Sequence, residues 1–335
     1  MQLIDRGSGP PLVLIPGLQG RWEYLRPAVD ALSAFFRVLT FSLDDVRADA
    51  RVGPSTDHGA TETAVTRRIE NVGAEPRVRP GLDPYADAVA ALMAAARVER
   101  ATICGVSFGG LIAVRFAARY PAHCAALILT STPRPRLRLR SRHEMYLRAP
   151  WIFGPIFLAE TPFRLNPEIC AAIPDAKARR RFSLRSLRTA IGAPVSLSRM
   201  AARARMISTE DVTPDCARIT APTLIVTGER HLDHVVPVEG SSEYLQLIRN
   251  ARAMVIERTG HLGSITRPDA FAAIVAAFVG DAGADAHVRP SQGDGEPGQS
   301  TKRDGGRPPL DAARDALSAS TGGPTHGSAA TGRVA

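Results

Sequence analysis

Lysine is almost missing from this chain: Lys177 and Lys302 are the only two, and every other basic residue is an arginine. Aromatic residues fill 5% of the 335 positions, which leaves little ring surface for stacking nucleic-acid bases. No apolar run approaches the roughly 20 residues that a membrane-crossing helix needs. The N-terminus, M-Q-L-I-D-R-G-S-G-P, has no basic stretch followed by an apolar one, so no signal peptide is expected. Cysteine is sparse and scattered. Cys104, Cys124, Cys170 and Cys216 form neither a C-x-x-C nor a zinc-spaced pair with histidine, which argues against a disulfide framework and a zinc module. Dispersed thiols suit a reducing compartment, and the expectation is a cytoplasmic protein.

What is present reads as globular, with 44% hydrophobic and 22% charged residues. The formal charge of +9 invites a nucleic-acid reading, but its distribution does not support one. Residues 1–133 carry +1, 134–205 carry +12, 206–280 carry −3 and 281–335 carry −1. One segment holds the excess. With no binding motif, a nucleic-acid partner is not expected.

Buried-strand and helix patterns alternate from the start. L-V-L-I (Leu12 to Ile15) follows a turn-forming G-S-G-P-P. A helix is expected from Pro27 to Phe36, then a strand from Arg37 to Leu43. Pro84 to Val98 predicts a helix with proline in its first turn and Asp83 as N-cap. A strand R-A-T-I-C-G, a helix from Gly109 to Tyr120 and a strand A-A-L-I-L-T follow. The rhythm stops at Thr132, and residues 133–213 are arginine-rich and proline-punctuated without a convincing buried strand. It resumes with A-P-T-L-I-V-T-G-E, a helix from Glu239 to Ile248, a strand A-M-V-I-E-R and a helix from Asp269 to Val279. This predicts a mostly parallel sheet with helices on both faces, formed by residues 1–132 and 214–280. Residues 133–213 read as a mainly helical cap inserted between two consecutive strands. Residues 281–335 have almost no large apolar side chains and predict a disordered tail, with a short helix conceivable at Leu310–Leu317.

The most informative stretch is I-C-G-V-S-F-G-G-L-I-A, Ile103 to Ala113, where a strand ends in G-x-S-x-G and a helix begins at once. This is the pattern of a nucleophile elbow. Ser107 would sit in a strained, tight turn that lifts its hydroxyl above the sheet edge. Gly105 and Gly109 would be required because a Cβ at either would strike a neighbouring strand or helix. The first helix N–H groups would point where an anion develops.

With this elbow the chain resembles the α/β-hydrolase family, and further residues extend the resemblance. The strand L-V-L-I leads into P-G-L-Q-G (Pro16 to Gly20), matching the family's oxyanion loop with Pro16 in place of its usual histidine. The resemblance implies that the main-chain N–H groups of Leu18 and Phe108 form the oxyanion hole. It also implies an acid after T-L-I-V-T-G-E. Asp233 in R-H-L-D-H-V-V-P keeps the family's distance to Pro237 despite two extra residues, with Glu229 as the alternative. The family's base falls on His261 in T-G-H-L-G. A serine hydroxyl is a weak nucleophile until a base takes its proton, and imidazole can both take and return it near neutral pH. Asp233 would orient that imidazole. The implied activity is hydrolysis of a carboxylic ester, lactone or thioester through an acyl-enzyme, with no cofactor and no metal. C–C or amide hydrolysis, or acyl transfer, would use the same triad. A non-catalytic ligand-binding protein on this scaffold is the rival from another class.

The pocket is less legible. Asp44 ends a strand on the catalytic edge and is a pocket candidate. Trp151, Phe153 and Phe157, in the apolar stretch W-I-F-G-P-I-F-L, are candidates for an acyl pocket under the cap. His231 and His234 flank Asp233 and read as solvated. Arg134, Arg136, Arg138, Arg140 and Arg142 alternate along P-R-P-R-L-R-L-R-S-R. As a stripe they would favour a small acyl substrate that is anionic or carrier-bound, or an acidic membrane surface; as a solvated face they favour none of these.

Overall fold

A computed structural model describes residues 2–46, 81–137 and 150–288, all within one unit spanning Met1–Arg289. Seven strands form one sheet in the order β1-β3-β2-β4-β5-β6-β7. They are β1 (Ile4–Arg6), β2 (Pro11–Ile15), β3 (Arg37–Thr40), β4 (Ala101–Val106), β5 (Cys124–Thr130), β6 (Thr223–Thr227) and β7 (Ala251–Val255). Every neighbouring pair is parallel except β1 with β3.

Successive strand side chains point to opposite faces, and both faces here are covered. Val13, Ile15, Ile103, Leu127 and Leu129 join one core, against helices α2 (Asp83–Ala95) and α3 (Phe108–Arg119). Leu12, Leu14, Cys104, Val106, Ala126 and Ile128 join the other, with α1 (Arg26–Leu32) and α11 (Pro268–Val288). That two-sided burial is why these strands read as continuous apolar runs.

Between β5 and β6 lie α4 (Pro150–Ala172), α5 (Ala176–Gly192), α6 (Leu197–Thr209) and the short α7 (Thr213–Cys216). After β6 come α8 (Val238–Ser242) and α9 (Tyr244–Leu247), and after β7 comes α10 (Gly263–Thr266). Among the described residues no helix is long and apolar enough to cross a membrane.

Four local readings need correction. The N-cap of α2 is Leu82, without a side-chain cap bond, and Asp83 lies inside the helix. Its carboxylate is drawn to Arg115 instead, whose guanidinium also reaches Glu210 and Asp215. This four-residue ion cluster ties α3 to α2 and to the chain returning from the insertion. The helix expected from Glu239 to Ile248 is split into α8 and α9. The strand expected to run to Leu43 ends at Thr40, with a 3-10 turn at Leu43–Asp45. Finally, α11 continues to Val288, past the boundary expected at residue 280. The tail from 289 onward, including Leu310–Leu317, lies outside the described residues.

Candidate active site

Strand β4 runs without a linker into α3, and Ser107 is the one residue between them. Its backbone has φ 54° and ψ −120°, a conformation that costs a non-glycine residue about 1–3 kcal/mol. Main-chain bonds hold it there: Ser107 N–H donates to the Thr130 carbonyl (2.8 Å), and Gly110 N–H donates to the Ser107 carbonyl (2.9 Å). The flanking glycines are dictated by close approach. A Cβ on Gly105 would stand 2.3 Å from the Gly109 carbonyl oxygen, and one on Gly109 would stand 2.4 Å from that of Ile15.

His261 lies in the loop between β7 and α10, with its Nε2 3.2 Å from Ser107 Oγ. On its other side Nδ1 is 3.6 Å from Asp233 Oδ2, with only 2% of the Asp233 side chain exposed. Nδ1 is buried and, among the described residues, has no partner within hydrogen-bonding distance, so a shift of a few tenths of an ångström toward Asp233 would complete the bond. Asp233 is fixed in turn, because Oδ1 accepts the N–H groups of Val235 (2.9 Å) and Val236 (2.8 Å). Burial alone would raise its pKa. The imidazole and those two N–H groups outweigh burial and hold the carboxyl below its ordinary range. Glu229, the alternative acid, instead accepts the Arg258 N–H at 2.6 Å and holds the loop together. His231 and His234 are exposed.

The loop Pro16–Gly20 adjoins the serine, for a Cβ on Gly17 would lie 3.3 Å from Ser107 Cβ. Phe108, the first residue of α3, follows the serine directly. The loop is anchored from the insertion. Arg203 of α6 is 1% exposed and donates to the carbonyls of Leu18 (2.9 Å) and Gln19 (3.1 Å). It also donates to Asp44 Oδ1 at 2.8 Å. Asp44 is therefore tied through Arg203 to the loop beside Ser107, with its carboxylate committed to that guanidinium. Removing one partner of a buried pair typically costs about 3–5 kcal/mol. Arg203→Ala is expected to lower the urea-unfolding free energy by that amount, and the Asp44→Ala/Arg203→Ala double variant to recover part of it. A loss below about 1 kcal/mol would mean that the pair is not holding the loop.

A second buried carboxylate comes from the insertion. Glu168 of α4, 1% exposed, has Oε1 2.5 Å from the Leu262 nitrogen, so it grips the backbone immediately after His261. Its Oε2 is buried, with no hydrogen-bond partner among the described residues. Burial pushes its pKa up, opposed by the backbone N–H groups of Leu262 and Gly260 and by His261, and assisted by Asp233. The sign follows directly. A carboxyl whose folded pKa is raised binds a proton more readily in the native state, so stability falls as pH rises from its unfolded pKa through its folded pKa. Glu168→Gln removes that dependence. The melting temperature of the variant minus that of the wild type should climb as pH rises above the ordinary carboxylate range, whereas a flat difference would show an unshifted carboxyl.

The fold brings together Ser107, Asp233 and His261, the three residues expected from the sequence to act jointly, while Glu168 and Arg203 were not among the expected site residues. Glu168 did carry a signal, being one of four acids in a segment of charge +12. Arg203 was one arginine among many. Trp151, Phe153 and Phe157 fall on α4, but their side chains lie outside the described residues, as do Arg138, Arg140 and Arg142. Arg134 and Arg136 are ion-paired, to Glu243 and Asp211.

A parallel sheet with a strained serine on its strand-to-helix turn, facing a histidine backed by a buried aspartate, defines the architecture of the α/β hydrolases. Residues 10–268 match the α/β hydrolase fold family, and the chain belongs to it. Among curated proteins it is 25% identical over 288 residues to "Putative carbamate hydrolase RutD" of Azorhizobium caulinodans, covering 82% of this chain and 93% of that one. Among solved structures it resembles the enol-lactonase of Burkholderia xenovorans LB400 (TM-score 0.58, 22% identity, 83% of this chain and 96% of that one). It also resembles an esterase of Exiguobacterium antarcticum (TM-score 0.61, 18% identity, 83% and 94%).

Proposed function

We propose that the protein hydrolyses a small acyl substrate, a carboxylic ester, lactone or thioester, through an acyl-enzyme on Ser107. The observation that carries this reading is the 3.2 Å contact between His261 Nε2 and Ser107 Oγ, with Asp233 behind the imidazole. In this reading His261 takes the hydroxyl proton as Oγ attacks the carbonyl carbon. The resulting oxyanion is met by the N–H groups of Leu18 and Phe108. His261 then protonates the leaving group, and the same steps with water release the acid. Asp233 orients the ring and balances the imidazolium. The inserted helices act as a cap, since Glu168 grips the histidine loop and Arg203 the oxyanion loop.

A second reading, hydrolysis of a carbamate or amide, has the same triad and is favoured by the similarity to the carbamate hydrolase named above. The two separate on a matched panel of p-nitrophenyl esters, thioesters, lactones and N-alkyl carbamates. Turnover that is fastest on esters, lactones or thioesters supports the first reading. Turnover of carbamates with only slow ester cleavage transfers the proposal to the second, and turnover of none removes both.

A further inference from the structure

We propose that α5 is a docking face for an anionic phospholipid surface. This helix, A-K-A-R-R-R-F-S-L-R-S-L-R-T-A-I-G, has six basic residues, no acidic residue and no buried residue. Leu184, Leu187 and Ile191 recur at i, i+3 and i+7, hence on one side of the helix. They are 53%, 57% and 74% exposed. Lys177 and Arg180 continue the same column, and Arg181, Arg185 and Arg188 flank it. Among the described residues no ion pair or hydrogen bond engages the side chains of Lys177, Arg180, Arg181, Arg185 or Arg188, unlike Arg115, Arg134, Arg199 and Arg203. The other side, with Phe182, Ser186 and Thr189, faces a cleft of about 1290 Å³ shared with α1 and the start of α11, and Arg181, Arg185 and Arg188 also line that cleft, between it and the aliphatic column.

A lone exposed leucine needs no explanation, but an aligned aliphatic column on an otherwise soluble surface does. Its chemistry selects the occupant. A second copy of α5 would bring like charges together. A bilayer interface offers acyl chains to the column and phosphates to the guanidiniums, without requiring a matching shape. An amphipathic helix of low net hydrophobicity with arginines bordering its apolar face suits that position. An acidic protein would satisfy the charge and leave the aliphatic column without a partner.

The test is co-sedimentation of the full chain with vesicles of phosphatidylcholine alone or with about one third phosphatidylglycerol. Binding to the mixed vesicles is expected to be at least about tenfold tighter and to weaken at about 0.5 M NaCl. Leu184→Gln, Leu187→Gln and Ile191→Gln together keep helix propensity. They should cut vesicle binding at least about fivefold while circular dichroism and melting temperature stay unchanged. Inorganic phosphate at millimolar concentration should not compete. Equal sedimentation with both vesicles, undiminished binding by the triple variant, or full competition by phosphate would each overturn the proposal. So would polyglutamate binding as tight as that of the mixed vesicles, because it marks an acidic-protein site. None of these readouts depends on catalysis.

Discussion

Ser107→Ala is expected to reduce turnover of the best substrate found in the ester, thioester, lactone and carbamate panel by roughly 10³- to 10⁶-fold while leaving the fold intact. The size follows from what the substitution removes. Without Oγ no acyl-enzyme forms, and the only catalysis left comes from binding the substrate beside donors aimed at its oxyanion. The strained backbone at residue 107 is imposed by β4, α3 and the contacts of Gly105 and Gly109. It persists with alanine, so stability should change little. Purified Ser107→Ala protein measured beside wild type decides the matter. A loss of less than about tenfold would require a different nucleophile.

Asp233→Asn should cost about 10⁴-fold in kcat with KM little changed, because an amide can donate to Nδ1 and hold the imidazole in the wrong tautomer for taking a proton from Ser107. Glu229→Gln keeps an acceptor for the Arg258 N–H and is expected to stay within a few fold of wild type. The reverse ranking would exchange the two roles. The Asp233 carboxyl is held below its ordinary range, so it stays ionised as pH falls past the usual carboxylate titration. The stability it supplies is present above its unfolded pKa and is lost only as pH drops through its lower folded value. Acid loss of activity at mildly acidic pH therefore does not arise from Asp233.

The centre of the sheet was legible because β2, β4, β5 and β6 are buried on both faces and so read as unbroken apolar runs. The positions of Ser107, Asp233 and His261 were legible for a related reason, since each of them follows one of these strands or β7 at the same edge. β1 was not foreseen: I-D-R holds two charged residues, and only its antiparallel bonds to β3 make it a strand. The burial of β7 was over-read, for Met254 and Val255 are about half exposed on this edge strand. Asp83 shows where local chemistry yields to tertiary contact, because a good capping residue is taken by Arg115 from another helix. Glu168 and Arg203 belong to the same class. Nothing adjacent in sequence marks them, and their partners, main-chain atoms and for Arg203 also the Asp44 carboxylate, lie more than 90 positions away.

The most direct test is to react the wild-type chain with a fluorophosphonate, digest it and locate the added mass by peptide sequencing. The expected result is one adduct, on Ser107, whose formation is slowed by His261→Ala. An adduct on another residue, or none with the folded wild-type protein, would contradict the assignment of Ser107 and His261 as nucleophile and base.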